Sequence, residues 1–310
     1  MERIATTIVP IFMLIGLGAV IARRGFMPEA FTRPANRLVF YLAIPALVFR
    51  ALSRARLRGC FDPPAVLLML LAVLLVAAVA LLLARRQRQQ EPARAATFAQ
   101  AAVHGNLGYI GLAVSYYYLD TAGFARTGMV IGFLMILQNL LGVIFLQSCQ
   151  SGKVGPSGGA GRELFVRVLC NPVILAAVAG IAFNLLALPR LEIFERFLQM
   201  LGGLALPMGL LLIGSGLSPA LLKRWFWPAL EIGFLKLVLL PATAWLLFYF
   251  AGVDQRNLVP VIILLAAPSA TLTYVMAREM GGQVELAVAA VSLTTMLSAF
   301  SYTLWLAWLA

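Results

Sequence analysis

Ten apolar runs, each close to the length that crosses a bilayer, restrict this chain to a bundle of membrane helices. They fall at 4–22, 38–53, 64–84, 95–118, 127–149, 168–188, 197–217, 228–251, 258–278 and 286–309. A helix needs about 20 apolar residues to cross ~30 Å of hydrocarbon. Of the 310 residues, 62% are hydrophobic and only 12% charged; a soluble domain carries about 25% charged residues. A water-soluble globule of this length would lack a polar exterior. The first run is longer than the apolar stretch of a signal peptide, and Arg23-Arg24 follow it, so it reads as a span.

The formal charge of +12 does not point to nucleic acid. Basic residues gather at the ends of apolar runs, as in Arg23-Arg24 and Arg85-Arg86-Gln87-Arg88, where cytoplasmic loops and lipid headgroups place them. The loops after spans 1, 3, 5, 7 and 9 hold fourteen Lys and Arg against nine on the other side. The bias predicts an inner-membrane, multi-pass protein with both termini outside and its central linker in the cytoplasm. Cys60, Cys149 and Cys170 have neither CxxC nor metal-ligand spacing. No cofactor or metal site is legible.

An internal repeat organises the spans. Pro10 and Gly18 recur as Pro172 and Gly180, and Pro45 recurs as Pro207, all 162 residues on. Ala101-Ala102 and Tyr109 recur 165 residues on as Ala266-Ala267 and Tyr274. The expected organisation is a five-helix repeat over 1–149, a linker over 150–167 and a second five-helix repeat over 168–310. Five is odd, so the halves would enter the membrane from opposite sides. The expected fold is therefore an all-α membrane protein of ten transmembrane helices in two inverted repeats. Secondary transporters use this symmetry and place their ligand at mid-membrane between the repeats.

Spans 4 and 9 are the least lipid-like. Span 4 carries His104, Gly105, Asn106, Gly108, Tyr109 and Gly111; span 9 carries Pro268, Ser269, Ala270, Thr271, Thr273 and Tyr274. Glycine weakens a helix and proline removes a donor. Backbone freed in this way is tolerated only against protein or a water-filled cavity. Both helices are expected to break and cross, with half-helix N-termini and polar side chains offered to an anion. Pro45, Pro207 and Gly111 are candidate hinges. Lys236 lies deep in span 8 and needs an interior partner, either the carbonyls of a break or an anionic ligand. His104 is the only histidine and is either a proton-coupling group or a packing residue. The 151–161 stretch SGKVGPSGGAG lacks the GxxxxGK[ST] spacing of a phosphate loop and reads as a linker. No nucleophile–base set is visible, so an enzyme is not expected.

The chain resembles the auxin efflux carrier family along essentially its whole length. The resemblance rests on Asn106, Gly108, Tyr109 and Gly111 in GNLGYIGLAV, and on Asn171-Pro172 opening the second half. It extends through LALPMGLLLIGSGL at 204–217, LLAAPSATLTYVMA at 264–277 and SLTTMLS at 292–298. It implies a ten-helix carrier with a scaffold part and a transport part holding the crossed helices. An anion would bind around Asn106 and the span 9 break. The linker is short and 64–84 carries no charge, unlike the plant auxin carriers, so the implied substrate is a small mono- or dicarboxylate such as malate or malonate. The expected partners are a small organic anion and the bilayer, with a homodimer as a candidate assembly and no nucleic acid. The alternatives are a sodium-coupled symporter of the bile-acid type and a membrane-embedded sensor that moves nothing.

Overall fold

The computed structural model describes residues 1–54, 62–88, 91–147, 171–189 and 191–310, without the side chains of 85–88. All three cysteines and the 150–167 linker lie outside the described residues. Those residues form helices and no strands. In chain order they are α1 (Glu2–Arg23), α2 (Glu29–Arg54), α3 (Pro63–Arg88), α4 (Pro92–Val103), α5 (Leu112–Tyr118), α6 (Thr121–Gln147) and α7 (Pro172–Leu185). There follow α8 (Glu192–Ser215, interrupted at Leu204), α9 (Pro219–Arg224), α10 (Phe226–Ala251), α11 (Gln255–Leu265), α12 (Leu272–Glu279) and α13 (Val284–Leu309). Seven of these are long and apolar enough to cross a membrane: α1, α2, α3, α6, α8, α10 and α13.

Sequence patterning explains how they pack. In α3 the buried residues Met69, Ala72, Val73, Val76, Ala77 and Ala80 recur every three to four positions, while Leu67, Leu71, Leu74 and Leu82 face outward. This is one helical stripe, and its alanines let α4 approach closely. Large apolar side chains such as Met13, Val178, Phe300 and Leu304 are exposed, which suits a surface solvated by lipid.

Glycines set close helix contacts. A Cβ on Gly180 of α7 would lie 2.9 Å from the Phe49 carbonyl oxygen of α2, and one on Gly18 of α1 would overlap the Leu211 carbonyl of α8. Small residues at such points let backbones meet.

Prolines shape the long helices. α2 contains a π-helical turn at Val39–Ala43 just before Pro45, and α10 contains one at Leu235–Leu239 just before Pro241. Pro241 has no N–H to offer Leu237. The freed Leu237 carbonyl instead accepts from Ser301 Oγ at 2.9 Å and Trp305 Nε1 at 3.0 Å, both on α13. Pro207 follows the interruption of α8 at Leu204 by three residues.

Several span limits differ from the sequence reading. α2 begins at Glu29 rather than near 38, because Glu29–Leu38 is a polar, outward-facing helical extension. Residues 95–118 and 258–278 are each interrupted, between Val103 and Leu107 and between Leu265 and Leu272, where the sequence places its breaks.

Candidate functional site

α4 ends at Val103, and His104, Gly105 and Asn106 run on without helical structure into a π-helical turn at Leu107–Gly111 that continues as α5. Asn106 starts the new helix: its Oδ1 accepts the Tyr109 N–H at 3.3 Å, the job of an N-cap. α11 ends at Leu265 and α12 starts at Leu272, with Pro268 between them.

The two interruptions meet antiparallel. Asn106 N–H donates to the Pro268 carbonyl at 2.7 Å and Ala270 N–H to the His104 carbonyl at 2.8 Å, bridging Gly105 and Ser269. Backbone groups orphaned by one break are thus satisfied by the other, as a buried chain requires.

Side chains complete the junction. Gly105 N–H donates to Gln138 Oε1 of α6 at 3.1 Å, and Ser269 N–H to Thr294 Oγ1 of α13 at 3.0 Å. Ser269 Oγ donates to the Ala101 carbonyl at 2.8 Å. Lys236, fully buried, donates to the Leu265 carbonyl at 2.5 Å. That carbonyl ends α11, so the cation lies on the negative end of a helix. Lys236 also flanks the other break, since a Cβ on Gly105 would lie 3.1 Å from its Nζ.

His104, Gly105, Asn106, Pro268, Ser269, Ala270 and Lys236 therefore come together, and those at the bridge are buried. Asn106 Nδ2 and His104 Nδ1 are buried without a hydrogen-bond partner among the described residues. Gly111 closes the turn through its N–H to the Asn106 carbonyl at 3.0 Å. Thr273 is buried with its hydroxyl unpaired, while Thr271 is half-buried at the α12 start.

Three residues point elsewhere. Tyr109 sends its hydroxyl to Asn36 Oδ1 of α2 at 2.5 Å and packs its ring where a Cβ on Gly209 of α8 would be. Tyr274 is 38% exposed on α12, and Gly108 faces Ile44.

Gln100, Gln138, Thr294 and Asn36 were not singled out from the sequence. The available signal was a polar side chain inside or flanking an apolar run. Among the described residues no group of three His, Cys, Asp or Glu is placed to hold a metal. Surface pockets of about 360 Å³ beside Trp245 and Trp308, and about 380 Å³ beside Arg126 and Arg256, lie at helix ends and do not include the junction.

A family model described as membrane transport protein matches residues 3–155 and 160–306. The chain is 27% identical over 299 residues to an "Uncharacterized transporter" of Methanothermobacter thermautotrophicus, covering 96% of each. It is 28% identical over 307 residues to a "Putative malonate transporter" of Rhizobium meliloti, covering 98% of this chain and 95% of the relative.

Proposed function

The chain belongs to the membrane transport protein family, whose auxin efflux carrier motifs it bears, and from that premise we propose that it carries a small organic anion across the membrane by alternating access. The observation that carries the reading is the buried junction of the two broken helices. It offers an unpaired donor beside a cation: Asn106 Nδ2 has no partner among the described residues, and Lys236 flanks Gly105. A cation here favours an anionic ligand over a sodium ion. A small mono- or dicarboxylate fits this chemistry, and one relative is named for malonate.

The architecture proposed with it is ten passes in two inverted repeats, 1–149 and 168–310. Counting α4 with α5 and α11 with α12 as one pass each, and adding α7 to the seven long helices, gives that number. Matched contacts support the symmetry. Gly18 meets Leu211 and Gly180 meets Phe49, and the residues of each pair have counterparts 162 positions apart. The last helix of each half holds the break of its own half, Gln138 on Gly105 and Thr294 on Ser269. In such carriers the ligand site lies between the repeats near mid-membrane. Because the junction is buried, helices must shift against one another for a ligand to enter from either side.

The proposed site comprises Gly105, Asn106, Pro268, Ser269, Ala270, Thr271 and Thr273, with His104 and Lys236 as charge or proton-coupling groups; Gly108, Tyr109 and Tyr274, expected there from the sequence, frame the junction instead. Pro45, Pro207 and Gly111 are the proposed hinges. Counterflow tests the mechanism. Vesicles preloaded with unlabelled malonate should take up labelled malonate faster than empty vesicles. Saturable binding without any counterflow would instead identify a sensor.

A further inference from the structure

A second polar cluster lies beside the first break, against α6. Gln100 of α4, His104 at its end, Gln138 of α6 and Thr273 of α12 are each at most 4% exposed. Each has a polar atom without a partner among the described residues: Gln100 Oε1, His104 Nδ1, Gln138 Nε2 and Thr273 Oγ1. Gly142 marks where the cluster gathers. A Cβ there would lie 3.1 Å from Gln100 Nε2, 3.5 Å from His104 Nδ1 and 3.0 Å from Met276 Cε. Gln138 is one turn before Gly142 on the same face of α6.

The orientation of Gln138 is fixed by chemistry. A backbone N–H only donates, so the Gly105 N–H at 3.1 Å must meet the amide oxygen. The amide nitrogen then turns away from the backbone with both hydrogens to give. Gln100 Nε2 meanwhile donates only to Met276 Sδ at 3.2 Å, a weak acceptor on a flexible side chain. Thr273, one turn before Met276 on α12, adds a hydroxyl. None of these side chains is an acid, and Lys236 lies just across Gly105. Of the unpartnered atoms Gln138 Nε2 donates and the Thr273 hydroxyl can donate, whereas Gln100 Oε1 accepts and His104 Nδ1 does either by tautomer. A buried donor left unpaired is costly, so the Gln138 amide calls for a ligand acceptor.

We propose that Gln100, His104, Gln138 and Thr273 form a second subsite for a second carboxylate of the substrate, so that this cluster sets the preference for dicarboxylates over monocarboxylates. The inference rests on the anion-carrier reading above. One carboxylate sits at the Asn106–Lys236 side of Gly105 and the other at the Gln138 side, with Met276 swinging aside to release Gln100.

The test is competition by malonate, succinate and acetate against labelled malonate on the purified, full-length protein. The wild type should favour malonate or succinate over acetate by at least tenfold. Gln100→Met removes the amide at nearly constant volume, and Gly142→Ala narrows the subsite from α6. Each should lower the dicarboxylate-to-acetate preference at least tenfold, with the unfolding midpoint reporting that the fold is intact. A preference unchanged in both folded variants would overturn the subsite while leaving the carrier reading standing. A wild type that binds none of the three acids would remove both.

Discussion

Replacing Lys236 by Met separates the two jobs that its ammonium performs. The methionine keeps the side-chain volume and removes the charge. For stability the effects oppose. The variant loses a charge-assisted hydrogen bond to the Leu265 carbonyl, worth about 1.5–3 kcal/mol. It also escapes the roughly 2.5–3.5 kcal/mol that a charge costs inside a membrane span. The sum is near zero, so Lys236→Met should reach the membrane and unfold within a few degrees of the wild type. For the ligand nothing cancels. Nζ lies beside Gly105, and a carboxylate held about 5 Å from it gains ~3 kcal/mol at an effective dielectric near 20. Affinity for the carried anion should therefore fall roughly a hundredfold. Isothermal titration of purified protein with malonate, run beside thermal unfolding without ligand, reads both quantities. A well-folded Lys236→Met protein with wild-type affinity would refute the electrostatic argument and leave the lysine only the capping of α11.

Asn106→Ala removes the cap on the Tyr109 N–H, a loss of about 1 kcal/mol, together with the unpaired Nδ2. Uptake in vesicles should collapse while membrane insertion, read by protein yield, is kept; wild-type uptake would take Asn106 out of the site. Tyr109→Phe breaks the bond to Asn36 that ties the first break to α2, costing about 1 kcal/mol of stability. Its unfolding midpoint should drop by a few degrees with ligand affinity within about threefold of wild type, and a large affinity loss would place the hydroxyl on the ligand instead. Gly180→Val forces a side chain onto the Phe49 backbone and should destabilise by ~1–3 kcal/mol. An unchanged unfolding midpoint would show that α7 and α2 are not held by this contact.

The two breaks were legible in the sequence because their cause is local. Glycine and proline disfavour helix wherever they stand, so Gly105, Gly108 and Pro268 announce an interruption without any knowledge of neighbours. What satisfies the freed backbone is not local. Gln138 and Thr294 reach the bridge from other helices, 33 and 25 residues away from the groups they accept from, and no periodicity encodes that. Lys236 is the intermediate case. The cost of a buried charge demands a partner, and on the sequence a break carbonyl and an anionic ligand serve equally. The fold supplied the Leu265 carbonyl. Tyr109 shows how an adjacent residue can serve another purpose: it follows the break yet points to Asn36, on a polar helical extension that hydropathy did not assign to a span. The π-helical turns before Pro45 and Pro241 were likewise hidden, because proline marks a lost donor but not how the helix absorbs it.

The most direct test of the central claim is uptake of labelled malonate, succinate and acetate into proteoliposomes, with proton, sodium and voltage gradients imposed one at a time. The carrier reading predicts saturable uptake of at least one of these acids that is lost in Asn106→Ala. No uptake of any of them by folded, reconstituted protein would contradict it.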